Sequence, residues 1–255
     1  MKEVKIERGS KPADSRFRIV ATETGPYLVY GRPPLAQQFI MPDADGDSWY
    51  FQEGTHFSTE TEPTSLCRCG ASKKKPYCDG SHATAAWNPA LTADDRPLLS
   101  DCETTEGETL RMTDNTRYCV LARFCDAKGA AWNLIERSDD PKARELAIRE
   151  ASMCPSGRLM AWDARTGAPY EYRFEPSLGL IEDLAPGISS GLWVRGGIPV
   201  GRQSGETYEI RNRTVLCRCG QSRNKPYCDG THVAIRFNDG LEGIPEGETV
   251  PEKVY

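Results

Sequence analysis

The chain contains two copies of one sixteen-residue motif, identical at twelve positions, and any fold it adopts must accommodate both. The first reads Cys67-Arg-Cys-Gly-Ala-Ser-Lys-Lys-Lys-Pro-Tyr-Cys-Asp-Gly-Ser-His82. The second reads Cys217-Arg-Cys-Gly-Gln-Ser-Arg-Asn-Lys-Pro-Tyr-Cys-Asp-Gly-Thr-His232. Both keep the spacing C-x-C-x8-C-x3-H, and an aromatic-Asn pair follows each His at the same interval, Trp87-Asn88 and Phe237-Asn238. A weaker likeness lies upstream, Leu28-Val-Tyr-Gly-Arg-Pro-Pro-Leu35 against Trp193-Val-Arg-Gly-Gly-Ile-Pro-Val200, with fifteen more residues before the motif in the first copy. A duplicated unit follows.

The spacings have geometric consequences. On an extended strand, Cys67 and Cys69 share one face, because side chains alternate with period two. Cys78 and His82 stand at i and i+4, which stack on one side of a helical turn entered through Asp79-Gly80. Pro76 stiffens the approach by fixing φ. The same placement holds for Cys217 with Cys219 and for Cys228 with His232. Three Cys and one His make a legitimate tetrahedral zinc set as well as a ligand set for a two-iron cluster, and spacing alone does not choose between them.

Composition bounds the alternatives. In 255 residues the hydrophobic fraction is 38%, with 23 Gly and 18 Pro, which fits several small, turn-rich units that need a staple better than one large apolar core. The net charge is −5, so no basic field invites nucleic acid. Met1 to Asp14 is charged and has no apolar run, and no stretch approaches the ~18 apolar residues of a membrane span. A cytoplasmic protein is expected, and in that reducing setting the ten cysteines read as metal ligands before disulfides.

The string C-R-C-G-x-S-x-x-K-P-Y-C-D-G-[ST]-H resembles the CDGSH iron–sulfur motif of the mitoNEET family. That resemblance implies a [2Fe–2S] cluster at each copy, held by Cys67, Cys69, Cys78 and His82 and by Cys217, Cys219, Cys228 and His232. The chain departs from mitoNEET in carrying both motifs, and no membrane anchor is expected. Family members with one motif pair as dimers, so the copies are expected to pack as an internal pseudo-dimer. A neutral imidazole in place of a thiolate makes a cluster less negative and raises its potential, and protonation of His82 or His232 is expected to release it below neutral pH. Among nearby cations, Lys75 and Lys225 hold equivalent places beside the Pro and are expected to support the ligands. Arg68, Lys73, Lys74, Arg218 and Arg223 read as solvated loop charges.

Between the copies, Cys119-x5-Cys125 and a later Cys154-Pro-Ser-Gly resemble a divergent single-cluster ferredoxin whose middle Cys is replaced by Ala122. Cys119, Cys125 and Cys154 suit a [3Fe–4S] cluster, or a [4Fe–4S] cluster with a fourth ligand from elsewhere; Cys102 is too distant in sequence to be a strong candidate. The bland alternative is that these are small core residues. Asp140 as N-cap and Pro141 as first residue start a helix whose stripe is Ala143, Leu146, Ala147 and Ala151, ending near Ser152. Ala130 to Glu136 reads as a short strand. Asp43-Ala-Asp45-Gly-Asp47 misses the calcium-loop pattern at its Gly and Glu positions and reads as a polar hairpin turn, and His56 as a surface residue.

The expected architecture is α+β: CDGSH units at 16–88 and 184–255, each small and β-rich, flanking a ferredoxin-like segment at 89–183. No catalytic Ser-His-Asp set, phosphate loop or dinucleotide motif is present, so no enzyme is expected. The functions in order are electron transfer or cluster storage and transfer, a zinc-stapled interaction module, and the redox subunit of an oxidoreductase. The expected partners are redox or cluster-acceptor proteins, with no nucleic acid and no membrane.

Overall fold

Alternating burial makes the strands of the first repeat. β1 (Arg18–Ala21) buries Ile19 and Ala21, and β2 (Tyr27–Tyr30) buries Tyr27 and Val29, the period-two pattern of a half-covered sheet. β3 (Leu35–Pro42), β4 (Ser48–Phe57) and β5 (Thr64–Leu66) complete this half. The computed structural model describes residues 15–243. The charged start read above, at 1–14, and the end of the second unit, 244–255, lie outside the described residues.

The second repeat supplies β10 (Ser177–Asp183), β11 (Ile188–Arg195), β12 (Val200–Arg202), β13 (Arg213–Leu216) and a one-turn helix α3 (Thr231–Ala234). β10 begins inside the range assigned above to the centre. The upstream likeness falls on matching structure: in both copies a strand ends, turns at Gly31 (φ 87°) or Gly196 (φ 73°), and starts the next strand. Those next strands cross over. β12 pairs parallel with β1 in a sheet ordered β12-β1-β2-β5, and β3 pairs parallel with β10 in a sheet ordered β13-β11-β10-β3-β4. Each half therefore lends a strand to the other half's sheet. One core spans both, with Ile19, Tyr27, Val29, Leu178, Leu192, Leu216 and Tyr227 in contact.

The fifteen additional residues of the first copy are accounted for by the arm in which β4 folds back on β3. Its turn is the Asp43–Asp47 segment, closed by the Asp47 carbonyl accepting from the Asp43 amide at 2.9 Å. The three carboxylates converge on the Lys128 ammonium at 2.5 to 3.0 Å, so a hairpin turn with an internal cation fills that place. His56 is exposed and pairs with Glu53 at 3.1 Å.

The centre is a four-stranded antiparallel sheet of β6 (Glu103–Glu106), β7 (Leu110–Asp114), β8 (Leu159–Asp163) and β9 (Pro169–Tyr170). Two helices cover it, α1 (Ala131–Glu136) and α2 (Pro141–Met153), through a core of Leu110, Met112, Leu134, Ile135, Ala147 and Leu159. α2 starts as expected, with the Asp140 carboxylate accepting from the Lys142 amide at 2.8 Å. The strand expected over Ala130 to Glu136 is instead the helix α1. Ala130 takes a positive φ of 61° and turns the chain, after which Ala131, Leu134 and Ile135 bury with helical spacing against the sheet. Among the described residues no helix is long and apolar enough to cross a membrane.

Candidate metal centres

Both motifs begin where a strand stops. β5 ends at Leu66 and β13 at Leu216, and the loop doubles back so that Cys67 and Cys217 donate their amides to the Pro76 and Pro226 carbonyls at 2.8 Å. The Cys67 and Cys69 sulfurs lie 3.8 Å apart and those of Cys217 and Cys219 3.7 Å apart. These are non-bonded distances, far beyond the ~2.05 Å of a disulfide, and all ten cysteines are free. The pairs do not sit on an extended strand as expected. They lie past its end, in a turn closed by Gly70 and Gly220, each at φ 78°. The second pair is formed at i and i+4 without a continuous helix: Gly80 (φ 88°) and Gly230 (φ 86°) break the chain between Cys and helical turn. Cys78 Sγ still meets His82 Nδ1 at 3.3 Å, as Cys228 Sγ meets His232 Nδ1.

The residues shared by the two strings shape this loop. Ser72 and Ser222 donate to the Tyr77 and Tyr227 carbonyls at 2.6 and 2.7 Å. Asp79 and Asp229 accept backbone amides from both sides, Lys73 and Ser81 in one copy and Arg223 and Thr231 in the other. Lys75 Nζ donates to the Ser72 carbonyl at 2.7 Å, and Lys225 Nζ to Ser222 at 2.6 Å and Gly220 at 3.3 Å. Both lysines therefore hold the ligand loop's own carbonyls. The aromatic after each motif returns to its His: Trp87 Nε1 donates to the His82 carbonyl at 3.0 Å, and the Phe237 amide to that of His232 at 2.9 Å.

Two cations read as solvated are nothing of the kind. Arg68 and Arg218, between the paired cysteines, are 1% and 6% exposed. Arg68 spends its donors on the carbonyls of Thr22, Glu23, Gly25 and Pro89. Arg218 bonds Ser190 and Ile181 carbonyls and two carboxylates, Glu182 at 2.8 Å and Asp239 at 2.7 Å. A buried charge needs such compensation, and burial lifts the Glu182 carboxyl to about 7. The occurrence of Arg at the same place in both copies was the sequence signal for this role. Lys73, Lys74 and Arg223 are exposed, as expected.

The thiols are poised unequally. The Cys69 thiol beside it, with nearby amides, pulls Cys67 down to about 6. Cys219 does the same for Cys217, to about 7. The partner thiols Cys69 and Cys219 rise in consequence. In each C-x-C turn the first thiol is thus the more readily ionised of the two. Burial raises Cys228 and lowers His232 to about 4, which keeps that imidazole neutral, the form that ligates. Among the described residues the donor trio found within 4.8 Å of one another is Asp43, Asp45 and Asp47. Each Cys3His set is accordingly two close pairs held apart.

The central cysteines also converge. Cys119, Cys125 and Cys154 line one cavity of about 280 Å³, together with Ala122, Asp126, Trp132 and Arg158. The loop from Cys119 to Cys125 wraps it through Leu121 (φ 55°) and Arg123 (φ 64°), a left-handed geometry that non-glycine residues seldom adopt. Burial and the neighbouring thiols push Cys125 up to about 12. Arg158, paired with Asp114 at 2.8 Å, supplies the local cation. The site is a half-open cleft with room for a bound group, and not a packing defect. Cys102 lies elsewhere, its thiol donating to the Leu99 carbonyl at 3.2 Å.

Comparison with known families agrees with these positions. A family model described as iron-binding zinc finger, CDGSH type, matches residues 24–83 and again 190–233. A second, described as a divergent 4Fe-4S mono-cluster, matches residues 105–164. No curated protein and no solved structure matches the chain significantly.

Proposed function

Because the chain carries two CDGSH-type iron-binding domains around a divergent 4Fe–4S segment, we propose that it carries electrons or iron–sulfur units between partner proteins and is not itself a catalyst. It holds a [2Fe–2S] cluster at each Cys3His set and a third cluster, [3Fe–4S] or [4Fe–4S], at Cys119, Cys125 and Cys154. The observation that supports this most is the separation of the donor pairs. One zinc ion with bonds of about 2.3 Å needs all four donors within about 3.8 Å of one another. Here each pair meets that limit, at 3.8 and 3.3 Å in the first motif and 3.7 and 3.3 Å in the second. Neither set closes to three donors within 4.8 Å, as suits two metals side by side.

A cluster so held supplies a one-electron centre whose potential the His ligand raises. The chain's own residues set its surroundings. The amides of the C-x-C turn face Cys67 and Cys217. Arg68 places a buried cation beside the first pair, bonded to backbone carbonyls and lying over the Trp87 ring, whereas Glu182 and Asp239 offset Arg218 beside the second. The reciprocal strand exchange supports treating the repeats as an internal pseudo-dimer. Protein purified without oxygen is tested by visible absorption and by electron paramagnetic resonance before and after dithionite. Charge-transfer bands that bleach, with a rhombic signal altered by His82→Cys, are expected. A colourless protein with no paramagnetic signal on reduction overturns the proposal.

A further inference from the structure

The motifs are nearly the same in sequence and differ in what covers them. In the second, Cys228 and His232 are each 3% exposed and Lys225 4%. Their counterparts Cys78, His82 and Lys75 are all half-buried, and Gly80 is exposed where Gly230 is buried.

Two segments make the difference. The chain leaving the first motif crosses the second: Thr92 and Ala93 donate their amides to the Lys225 carbonyl at 2.8 Å, and Thr92 Oγ1 to that of Arg223 at 2.7 Å. From the other side comes the central cysteine loop. The Cys119 carbonyl and Leu121 side chain press so close to Gly230 that a methyl group there would lie 3.0 Å from each. Val120, Ala122 and Phe124 share an apolar cluster with Cys228. Arg123 then reaches across to Asp183 with bonds of 2.6 and 2.9 Å, and Asp183 is a carboxylate whose field is felt at His232. Over the first motif nothing approaches a methyl placed on Gly80 within 4 Å. Each covering contact arises from a segment that exists once in the chain, so the duplication cannot provide it twice.

We propose that the repeats have divided their work. The first Cys3His set is the exchange centre, where an acceptor's donor atoms reach Cys78 and His82, and the second is a retained centre sealed by the central loop and the 89–93 crossing. This division rests on the iron–sulfur assignment above. Exchange replaces a protein donor by a donor of the acceptor, a thiolate or imidazole, and leaves the electron count unchanged.

The test follows iron release from the loaded full-length chain into excess ferrous chelator at neutral pH after reduction. Iron of one motif leaves first, and that of the other at least about tenfold later, the ratio of a local opening about 1.4 kcal/mol costlier. His82→Cys slows the early phase and His232→Cys leaves it unchanged; release from the central cysteines is common to both and drops out of the comparison. Arg123→Ala, which frees the roof from Asp183, speeds the late phase alone, and Asp183→Asn tests the same contact should Arg123→Ala fail to load. Equal rates at the two motifs, an early phase slowed by His232→Cys, or a late phase indifferent to both roof variants overturns the division. Protein that never contains iron and sulfide overturns the iron–sulfur assignment instead, and iron-loaded protein with a single phase overturns the division alone.

Discussion

Glycine 220 offers a severe test of how closely the motifs are joined. A Cβ placed there would lie 2.4 Å from the Cys69 carbonyl oxygen, and one on Gly70 would lie 2.6 Å from that of Cys219. The two C-x-C turns therefore meet back to back, each glycine making room for the other turn's ligand backbone. Gly220→Ala first incurs the left-handed backbone, at φ 78°, costing about 1 kcal/mol. Reaching ordinary contact at 3.4 Å then requires the Cys69 carbonyl to retreat by about 1 Å. Such overpacking typically adds about 1–3 kcal/mol, so the total is about 2–4 kcal/mol. Gly80→Ala is the control, because Gly80 has φ 88° and nothing within 4 Å of its Cβ position; only the backbone cost applies. Thermal unfolding should show the melting temperature down by about 4–16 °C for Gly220→Ala and about 2–4 °C for Gly80→Ala. Iron content should fall at both motifs, because the displaced carbonyl belongs to the first. Equal shifts in the two variants, or iron lost only from the second motif, would refute the back-to-back contact.

Other substitutions probe the rest of the molecule. Arg213 is 2% exposed and ties β13 to the centre, bonding Glu171 and the carbonyls of Ala151, Ser152, Cys154 and Leu159. Arg213→Met leaves the buried Glu171 carboxylate without its cation, held by the Asn212 amide, and should cost about 3–5 kcal/mol in urea unfolding. Glu150 is raised to about 7 by burial. The folded state therefore holds a proton that the unfolded state has lost between about pH 4.5 and 7, and stability falls as pH rises through that window. Glu150→Gln should recover about 2–3 kcal/mol at pH 8 and little at pH 5, read from urea midpoints at the two values. Cys154→Ser should remove the central centre's share of iron and leave the spectrum of the two motif centres, measured by iron analysis and paramagnetic resonance.

The paired ligands were visible in the sequence because they are local: C-x-C and C-x3-H bring their donors together whatever the rest of the chain does. The local geometry was not, since Gly70 and Gly80 replace strand and helix by left-handed turns. The helix α1 was missed because six residues are too few for a period to show, and the turn at Ala130 that starts it has no side-chain cap. The strand exchange escaped for a different reason. Leu35 pairs opposite Leu178 and Ile19 opposite Val200, and nothing in either segment names a partner so far along the chain. Arg68 and Arg218 were misjudged because a charge in a polar loop is ordinarily solvated; only the carbonyls and carboxylates gathered by distant segments make their burial tolerable.

Metal and acid-labile sulfide per chain, measured together on protein purified without oxygen, test the central claim most directly. Two [2Fe–2S] centres and a third central cluster predict about seven or eight irons with comparable sulfide and no zinc. One zinc per motif with no sulfide would contradict it.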